Sequence, residues 1–286
     1  MSFSTSVDSR AYSFAYIIRE REGLPADFED QIAQQFDQGI FLPRELAGRF
    51  DIPRFPPRVV LLDATSITIH WHPSQDTAPV CILFEEIVYV EIQSFLLDCM
   101  LRIVTKEFTC DIPFAARDSK RVDELLSWIR EGLCQRLPAF GSHEYEDSRD
   151  PRLNAKFNGA EKVIIYPGER IIARLYSAPY CQEKNWFFYS SQSWTPGNDL
   201  LSTNLRLIWI TEEQHGFRQE YGYRIFYTPL TNARRIRLDS GKRPSVEVLL
   251  CGNRSWQVPV AVEEKVAERF VSTVSRQLML LGRDES

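Results

Sequence analysis

The chain has 286 residues, of which 44% are hydrophobic and 26% charged, and its formal net charge is −5. This composition can fill the cores of two ordinary domains, and it argues against extensive disorder. A membrane-spanning helix is also excluded, because the apolar stretches fall far short of the roughly 20 residues it needs. Residues 1–150 carry 15 basic and 25 acidic side chains (net −10), whereas residues 151–286 carry 19 and 14 (net +5). We therefore expect no nucleic-acid partner, which would need a concentrated basic face.

The N-terminus and the cysteines indicate the compartment. Residues 1–21 lack the basic segment followed by an apolar segment that is typical of a signal peptide. The six cysteines are widely spaced without a Cys-x-x-Cys pair, a pattern typical of reduced, mostly buried thiols. These features predict a cytoplasmic protein.

The first 40 residues form an extension before the repeated part of the chain. Pro25, together with Phe28, Ile32 and Phe36 at positions i, i+4 and i+8, predicts a short helix. We therefore assign residues 1–40 to an N-terminal extension with a short helix.

Three sequence anchors occur twice in the same order, which predicts an internal repeat. The paired segments are 42–50 with 166–175, 82–84 with 225–227, and 111–116 with 257–262. Their offsets are 124 residues (167 − 43), 143 residues (225 − 82) and 146 residues (259 − 113). The smaller first offset means that the second repeat carries about 20 additional residues near its start.

Short runs of β-branched and aromatic residues predict antiparallel strands within each repeat. In the first repeat the predicted strands are 59–62, 67–71, 80–84, 87–92, 99–105 and 108–112. In the second repeat they are 205–210, 223–227, 233–238, 245–250 and 256–258. This close spacing favours antiparallel meanders over βαβ units.

Each repeat then ends in a predicted amphipathic helix. After Asp118 or Ser119 as N-cap, the apolar residues of the first helix are Val122, Leu125, Leu126, Ile129 and Leu133. Those of the second helix are Val262, Val266, Phe270, Val274 and Leu278. Gly282 follows as a helix stop. The segment 138–164, rich in Gly, Ser, Asp and Asn, is the predicted linker.

Several strands followed by one closing helix, with the segment Ser202-Thr203-Asn204-Leu205-Arg206-Leu207-Ile208-Trp209, resemble the pleckstrin-homology-like (PH-like) superfamily. The bacterial PH-like and GRAM-type branches, with a Thr-Asn-x-Arg second strand, are the most similar. The first repeat matches in layout but has Pro57-Arg58-Val59-Val60-Leu61 in place of this motif. The resemblance implies a mainly β (α+β) fold of two PH-like β-barrels, at 41–137 and 165–282, each closed by a C-terminal α-helix.

The resemblance also implies a binding or assembly module. Some members of the superfamily bind phosphoinositides through a Lys-x(n)-(Lys/Arg)-x-Arg signature across the first two strands. Arg206 could occupy the last position of that signature, but Asn204 stands where a second cation belongs. We therefore do not expect specific binding of a phosphoinositide headgroup.

The additional residues of the second repeat are rich in aromatic side chains. Among them are Trp186, Phe187, Phe188, Tyr189 and Trp194. In PH-like folds this first connection borders the rim that faces the ligand, and exposed aromatic side chains mark interfaces. These residues are therefore candidate binding residues. The alternative is that 186–189 form one more strand packed on its own barrel or on the first repeat.

The strongest local cluster of positive charge is formed by Arg234, Arg235 and Arg237, with Lys242 and Arg243 after the next turn. On a strand, Arg235 and Arg237 share one face and Arg234 points to the other. The cluster is a candidate contact for an anion or a partner, and the alternative is a solvated strand.

Catalytic and metal-binding motifs find little support in the sequence. His70 and His72 would lie on the same face of a strand, but a zinc site needs three or four ligands and no Cys or Asp motif adjoins them. We therefore expect surface or turn histidines, and no metal or cofactor. The sequence has no P-loop, no Gly-x-Ser-x-Gly and no His-Glu-x-x-His.

These features predict a non-catalytic tandem PH-like protein that binds a protein partner or self-associates. The alternative is peripheral binding to an anionic membrane through the second domain, which would need charge and apolar contact together. A third possibility is an enzyme whose site the linker or the N-terminal extension completes.

Overall fold

The computed structural model describes residues 14–43, 45–47, 52–73, 77–94, 98–134, 157, 165, 169–186, 189–215, 220–241 and 244–282. Over these ranges the protein is mainly β, with several antiparallel sheets. Among the α-helices of the described residues are α1 (Ala26–Glu29), α2 (Ser119–Cys134) and α3 (Glu264–Leu280).

The chain divides into two compact units, each built from separate segments. The first comprises residues 1–87, 97–100 and 112–136, and the second comprises residues 88–96, 101–111 and 137–286. The predicted domains, 41–137 and 165–282, follow the internal repeat and not these units, and their boundaries stay a prediction.

The sheet of the first unit has five antiparallel strands in the order β1-β2-β5-β6-β7. Its strands are β1 (Tyr16–Ile18), β2 (Gln38–Leu42), β5 (Arg58–Leu62), β6 (Ser66–Trp71) and β7 (Val80–Leu83). A small hairpin of β3 (Glu45–Ala47) and β4 (Ile52–Phe55) connects β2 to β5. The N-terminal extension therefore contributes strand β1, which its sequence did not predict, and the start of β2.

Both faces of the inner strands β2, β5 and β6 are buried, as expected for strands rich in Val, Ile and Leu. Phe41, Val59 and Leu61 lie in one cluster with Phe28 and Ile32 of the N-terminal extension. The residues that alternate with them, such as Ile40, Val60 and Ile69, are also buried, and helix α2 packs against β2. The predicted α2 residues Val122, Leu125, Leu126 and Ile129 are buried, which confirms the helical spacing.

The helix predicted around Phe28 is shorter than its apolar spacing indicated. Pro25 precedes a single turn, α1, and the chain leaves the helix after Glu29. Phe28 and Ile32 are nonetheless buried, and Phe36 packs against the same cluster. A single helical turn followed by irregular chain can therefore pack apolar residues at i, i+4 and i+8 into one cluster, as a continuous helix would.

The largest sheet has seven strands in the order β10-β9-β8-β16-β15-β14-β11 and lies mainly in the second unit. Its strands from the first repeat are β8 (Ile87–Ser94), β9 (Asp98–Thr105) and β10 (Thr109–Ala115). Those from the second repeat are β11 (Ile171–Ser177), β14 (Asn198–Thr203), β15 (Arg206–His215) and β16 (Glu220–Pro229). The two repeats meet where β8 pairs antiparallel with β16, with Tyr227 opposite Val90 and Tyr223 opposite Ser94.

The second unit also contains a three-stranded sheet and the C-terminal helix. The sheet has the order β17-β18-β19, with β17 (Ala233–Asp239), β18 (Ser245–Leu250) and β19 (Ser255–Pro259). Helix α3 packs against β17 and β11 and shares one apolar core with both sheets. Every sheet of the described residues is open at both ends, so the closed barrels predicted from the sequence are not found there.

Helix α3 corrects the predicted apolar stripe at its N-terminal end. Its buried residues are Ala267, Phe270, Val274 and Leu278. Val266 is 48% exposed, and Val262 precedes the helix, which begins at Glu264. Gly282 follows with a φ of 71°, and its N–H bonds to the Met279 carbonyl, so the predicted helix stop is confirmed.

The elements themselves repeat in order. Strand β2, the β3–β4 hairpin, β5–β7, β8–β10 and α2 correspond to β11, a second hairpin at 180–195, β14–β16, β17–β19 and α3. A 3₁₀ turn follows β7 at Phe84–Glu86 and follows β16 at Leu230–Asn232, which is 146 residues later (230 − 84).

This offset corrects the second sequence anchor. The two 3₁₀ turns are 146 residues apart, as are the paired segments of the third anchor. The second anchor paired residues 82–84 with 225–227 at an offset of 143, which was therefore wrong by three residues. Hydrogen bonds support the correction, because the first N–H of each turn, on Phe84 and Leu230, donates to a hairpin carbonyl, on Thr65 (2.9 Å) and Leu205 (3.0 Å).

The predicted linker, 138–164, lies outside the described residues except for Phe157. This side chain is 2% exposed, and its ring centroid lies 5.5 Å from that of Tyr176 on β11. At least this part of the predicted linker therefore belongs to the packed second unit.

Candidate functional site

The additional residues of the second repeat form a hairpin of β12 (Tyr180–Trp186) and β13 (Tyr189–Thr195). The strands pair along their whole length, from Tyr180 opposite Thr195 to Trp186 opposite Tyr189. Among the described strands they pair only with each other, as a separate two-stranded sheet. This hairpin occupies the same place in the repeat as the shorter β3–β4 hairpin.

Two of the candidate aromatic residues, Trp186 and Tyr189, lie at the tip of this hairpin. Strand β12 ends at Trp186 and β13 begins at Tyr189, so 186–189 do not form one continuous strand, which was the alternative. Phe187 and Phe188, between these two ends, lie outside the described residues. Trp194 lies near the base, opposite Cys181. Trp186 and Tyr189 are therefore the last described residues on either side of the chain reversal.

The stem of the hairpin is polar in both strands. Its sequence is Gln182-Glu183-Lys184-Asn185 on one side and Ser190-Ser191-Gln192-Ser193 on the other. A strand that packs on a core alternates apolar with polar residues, and this stem has no such alternation. Its composition is that of a solvated ribbon carrying an aromatic tip.

The predicted basic cluster lies on β17, where Arg234, Arg235 and Arg237 are all exposed. The register between β17 and β18 shifts between Ala233 and Arg235. This bulge explains why Arg234 does not point into the core as strict alternation predicts. The Arg237 guanidinium forms an ion pair with Glu247, whose other carboxylate oxygen accepts a hydrogen bond from Gln257 (2.8 Å).

Arg206 lies in the interior and not on a binding surface. It is 2% exposed and forms an ion pair with Glu169, which is fully buried. The Thr203 hydroxyl donates to the same carboxylate at 2.6 Å, and the Arg206 guanidinium lies 5.5 Å from the ring centroid of Tyr227. Its charge is thus balanced inside the second unit.

The histidine prediction needs a correction. His70 on β6 is only 4% exposed, and burial lowers its pKa, so it is not a surface histidine. His72 is half-buried, 3.5 Å from the Asp27 carboxylate and edge-on to the Phe28 ring. Within the described ranges, no group of three or more His, Cys, Asp or Glu residues is arranged to hold a metal ion.

Five of the six cysteines are described, and their exposure is mixed. Cys99 and Cys110 are buried as expected, Cys134 and Cys251 are half-buried, and Cys81 on β7 is exposed. Cys81 is thus the exception among the described cysteines to the expectation of mostly buried thiols, and its strand ends the five-stranded sheet.

A polar network that sequence reasoning missed crosses β8, β9, β10 and β16. Glu91 is 2% exposed and accepts hydrogen bonds from Gln93 (2.7 Å) and Arg102 (3.4 Å). Arg224 lies 3.6 Å from the same carboxylate, and Asp111 accepts from Arg102 at 2.7 Å. The hydrogen bond that Arg102 donates to Asp111 is the main cause that raises the Arg102 pKa, against the effect of burial. Because the groups satisfy one another, this network holds strands together.

The network had a weak signal in the sequence. Tyr89, Glu91 and Gln93 alternate with the apolar Val88, Val90 and Ile92, which indicates a strand with one polar face. The partner strand β16 lies more than 120 residues away in sequence (220 − 94), so local patterning could not identify Arg224.

The predicted binding residues therefore lie on three separate elements. Trp186, Tyr189 and Trp194 are in the hairpin, Arg206 begins β15, and the other arginines are on β17. The hairpin tip is the candidate site that the geometry supports best, because an aromatic tip on a polar stem is suited to contact another molecule.

No model of a known family matches the chain, and no curated protein is significantly similar to it. No helix of the described residues is long and apolar enough to cross a membrane.

Proposed function

We propose that this chain is a non-catalytic protein of two PH-like domains that binds a protein partner through the tip of the β12–β13 hairpin. The partner supplies an apolar pocket or groove for the side chains of Trp186, Phe187, Phe188 and Tyr189. The cytoplasm is the proposed location.

The order of elements supports the PH-like part of the proposal. Each repeat has four strands, a 3₁₀ turn, three further strands and a C-terminal helix, with a hairpin inserted after the first strand. In a PH-like fold, two such sheets pack at a steep angle and the helix fills the opening between them. The inserted hairpin then stands at the rim on which these domains bind ligands.

The observation that carries the proposal is that Trp186 and Tyr189 lie opposite each other at the end of a hairpin whose stem has a polar sequence. Large aromatic side chains are enriched at the centres of protein interfaces, where they fill pockets and exclude water. A polar stem keeps such a tip away from its own core. The tip is therefore suited to binding.

A protein partner fits better than an anionic membrane. The stem carries one acidic and one basic residue, Glu183 and Lys184, so it adds no net positive charge beside the aromatic tip. Stable binding to an anionic membrane generally needs both signals together. Arg206, the residue of the lipid-binding signature, is already engaged by Glu169.

The test compares the full-length protein with a tip variant, Phe187→Ser with Phe188→Ser. The matched control is Ser191→Ala with Ser193→Ala in the stem, which changes the same hairpin without touching the tip. Each protein is used in quantitative affinity capture from cells of its source and in flotation with neutral and anionic vesicles. We expect specific captured proteins to be lost with the tip variant and retained with the stem variant, with no vesicle binding.

Thermal unfolding of the same variants separates binding from packing. If the tip faces a partner, the tip variant unfolds at the temperature of the wild type, because no core contact is lost. A clear drop in that temperature would place the aromatic side chains in the protein's own core and overturn the proposal. If the wild type binds vesicles and the tip variant does not, the partner of the tip is a membrane and not a protein.

A further inference from the structure

The pairing of β8 with β16 is a template for a second junction. In the repeat, β16 corresponds to β7, because each strand leads into the 3₁₀ turns that lie 146 residues apart. Strand β8 corresponds to β17, because each strand follows those turns. The junction that joins the two repeats within the chain therefore has a potential equivalent between β7 and β17.

Both of these strands end a sheet. Strand β7 is last in the order β1-β2-β5-β6-β7, and β17 is first in the order β17-β18-β19. Among the described strands, nothing pairs with the outer edge of either one. An edge with open backbone groups is a template for pairing with another chain.

We propose that β7 of one molecule pairs antiparallel with β17 of a second molecule of this chain. The internal junction sets the register: Tyr227 lies opposite Val90 and Phe226 opposite Glu91. The shift of 146 residues then places Cys81 opposite Ile236 and Val80 opposite Arg237. This surface is distinct from the hairpin tip and does not depend on it.

The exposure of the edge residues is suited to this pairing. Cys81 is exposed and Leu83 is 38% exposed on β7, and Arg234, Arg235 and Arg237 are exposed on β17. Pro79 precedes β7 and has no N–H to donate, and the Leu83 N–H already donates to the Glu86 carboxylate (3.4 Å). The ladder carried over from the internal junction is therefore limited to the pairs of Val80 with Arg237 and Cys81 with Ile236. The internal ladder has five pairs, and we therefore expect the intermolecular junction to be the weaker one.

The charges at the two edges are complementary. Glu85 and Glu86 follow β7 in its 3₁₀ turn, and Arg234 and Arg235 lie on β17. Residues 1–150, which contain β7, carry a net charge of −10, and residues 151–286, which contain β17, carry +5. Pairing β17 with a second β17 would bring arginines together, which is unfavourable. The charges therefore favour β7 with β17 over either edge with itself.

This contact is heterologous, because it uses two different surfaces of the same molecule. Each molecule offers one β7 edge and one β17 edge, so association proceeds from head to tail. Such contacts produce open chains or, where the rotation closes, rings. A discrete two-fold dimer is not expected.

Charge reversal tests the proposal. In sedimentation equilibrium the wild type should show an average mass that rises with concentration. We expect Arg234→Glu with Arg235→Glu, and separately Glu85→Lys with Glu86→Lys, to weaken association by about tenfold or more. An equimolar mixture of these two variants should associate again, because each junction then joins opposite charges. Arg269→Glu with Arg276→Glu, on the exposed face of α3, is the matched control and should behave as the wild type.

Disulfide trapping tests the register. In a Cys81→Ser background, Val80→Cys in one molecule and Arg237→Cys in another should form a mixed disulfide, because directly opposite residues are about 5 Å apart at Cβ. Asp239→Cys, two residues along the same face of β17, should trap Val80→Cys far less. Equal trapping at both positions would overturn the proposed register.

Two outcomes would overturn the junction itself. One is a wild type that stays monomeric at all concentrations. The other is a protein that associates only after Arg234→Gln with Arg235→Gln, which would identify these arginines as protection of an edge strand. The Phe187→Ser, Phe188→Ser variant should associate as the wild type does, so failure of the hairpin proposal and failure of this one are distinguishable.

Discussion

The turn between β5 and β6 and the turn between β14 and β15 have the same hydrogen bonds but different side chains. In the first, Asp63 Oδ1 accepts from the N–H groups of Thr65 (2.7 Å) and Ser66 (2.8 Å). In the second, Thr203 Oγ1 accepts from the N–H groups of Leu205 (3.1 Å) and Arg206 (2.9 Å). Asp and Thr oxygens can both hold such turns, so the two repeats share backbone geometry and not residue identity.

This comparison also corrects the sequence alignment of the two repeats. The counterpart of Thr203-Asn204-Leu205-Arg206 is Asp63-Ala64-Thr65-Ser66, 140 residues earlier (203 − 63), and not the segment beginning at Pro57. The Thr-Asn-x-Arg segment has a structural role at each polar position. Thr203 holds the turn, the Asn204 side chain accepts from the Arg170 N–H (2.8 Å), and Arg206 pairs with Glu169.

The difference lies in what surrounds the two turns. The Thr203 turn is tied to a buried ion pair, whereas the Asp63 turn is partly exposed. Partial burial would raise the Asp63 pKa, but hydrogen bonds from Ser66 and Thr65 outweigh it and lower the pKa. The first turn is thus a local structure, and the second also depends on a residue 37 positions away.

The largest expected effect follows from breaking the second turn's ion pair. Glu169→Ala leaves the Arg206 guanidinium buried without its carboxylate, and we expect the free energy of unfolding to fall by about 3–5 kcal/mol. Urea denaturation of the full chain measures the change.

Two further variants sharpen this prediction. Glu169→Leu with Arg206→Met removes both charges and should recover most of the lost stability, because an apolar pair can replace a buried ion pair. Asp111→Ala, which removes a partly exposed partner of Arg102, should cost less than about 1 kcal/mol. A Glu169→Ala loss no larger than this control would show that the pair contributes little.

A smaller effect is expected at the first turn. Asp63→Ala removes the acceptor of two backbone N–H groups that water can partly replace, so we expect a loss of about 1–2 kcal/mol. Asp63→Thr introduces the residue that holds the second turn and should cost no more than about 0.5 kcal/mol. Equal losses for Ala and Thr in urea denaturation would mean that the two turns are not interchangeable.

The sequence predicted most elements because their signals are local. The predicted strands at 59–62, 67–71 and 245–250 and the apolar spacing of α2 each depend on residues within one element. Strand β1 was missed because three residues, Tyr16 to Ile18, are too few to show a period. The second anchor slipped by three residues because Ile-Leu-Phe and Ile-Phe-Tyr are interchangeable as apolar strand residues.

Long-range pairing was not predictable in this way. Nothing near β8 specifies that it pairs with β16, and nothing near Arg206 indicates that Glu169 neutralises it. The candidate hairpin could be found from its aromatic composition, but its reversal between Trp186 and Tyr189 required the backbone. Local patterns fix the type of an element, whereas partners depend on how distant elements pack.

The smallest expected effect concerns His70 on β6. Its counterpart in the second repeat is Ile210, because each residue lies four positions after the start of its strand, β6 or β15. Both residues are buried, at 4% and 1% exposure. Burial lowers the pKa of His70 from 6.5, and its Nε2 has no hydrogen-bond partner among the described residues. As the pH falls below 6.5, the unfolded chain therefore binds the proton before the folded protein does. The free energy of unfolding must decrease on acidification.

We expect His70→Ile to remove this contribution, which amounts to at most about 1.4 kcal/mol per pH unit. Urea denaturation of both proteins at pH 7.5, 6.5 and 5.5 measures it, and the difference between their stabilities should grow in favour of the variant as the pH falls. The other titrating groups are common to both proteins and cancel in this difference. A difference that stays constant across the range would mean that His70 takes up its proton equally in the folded and unfolded states. The five-stranded sheet would then tolerate a charge at His70, where the seven-stranded sheet has Ile210.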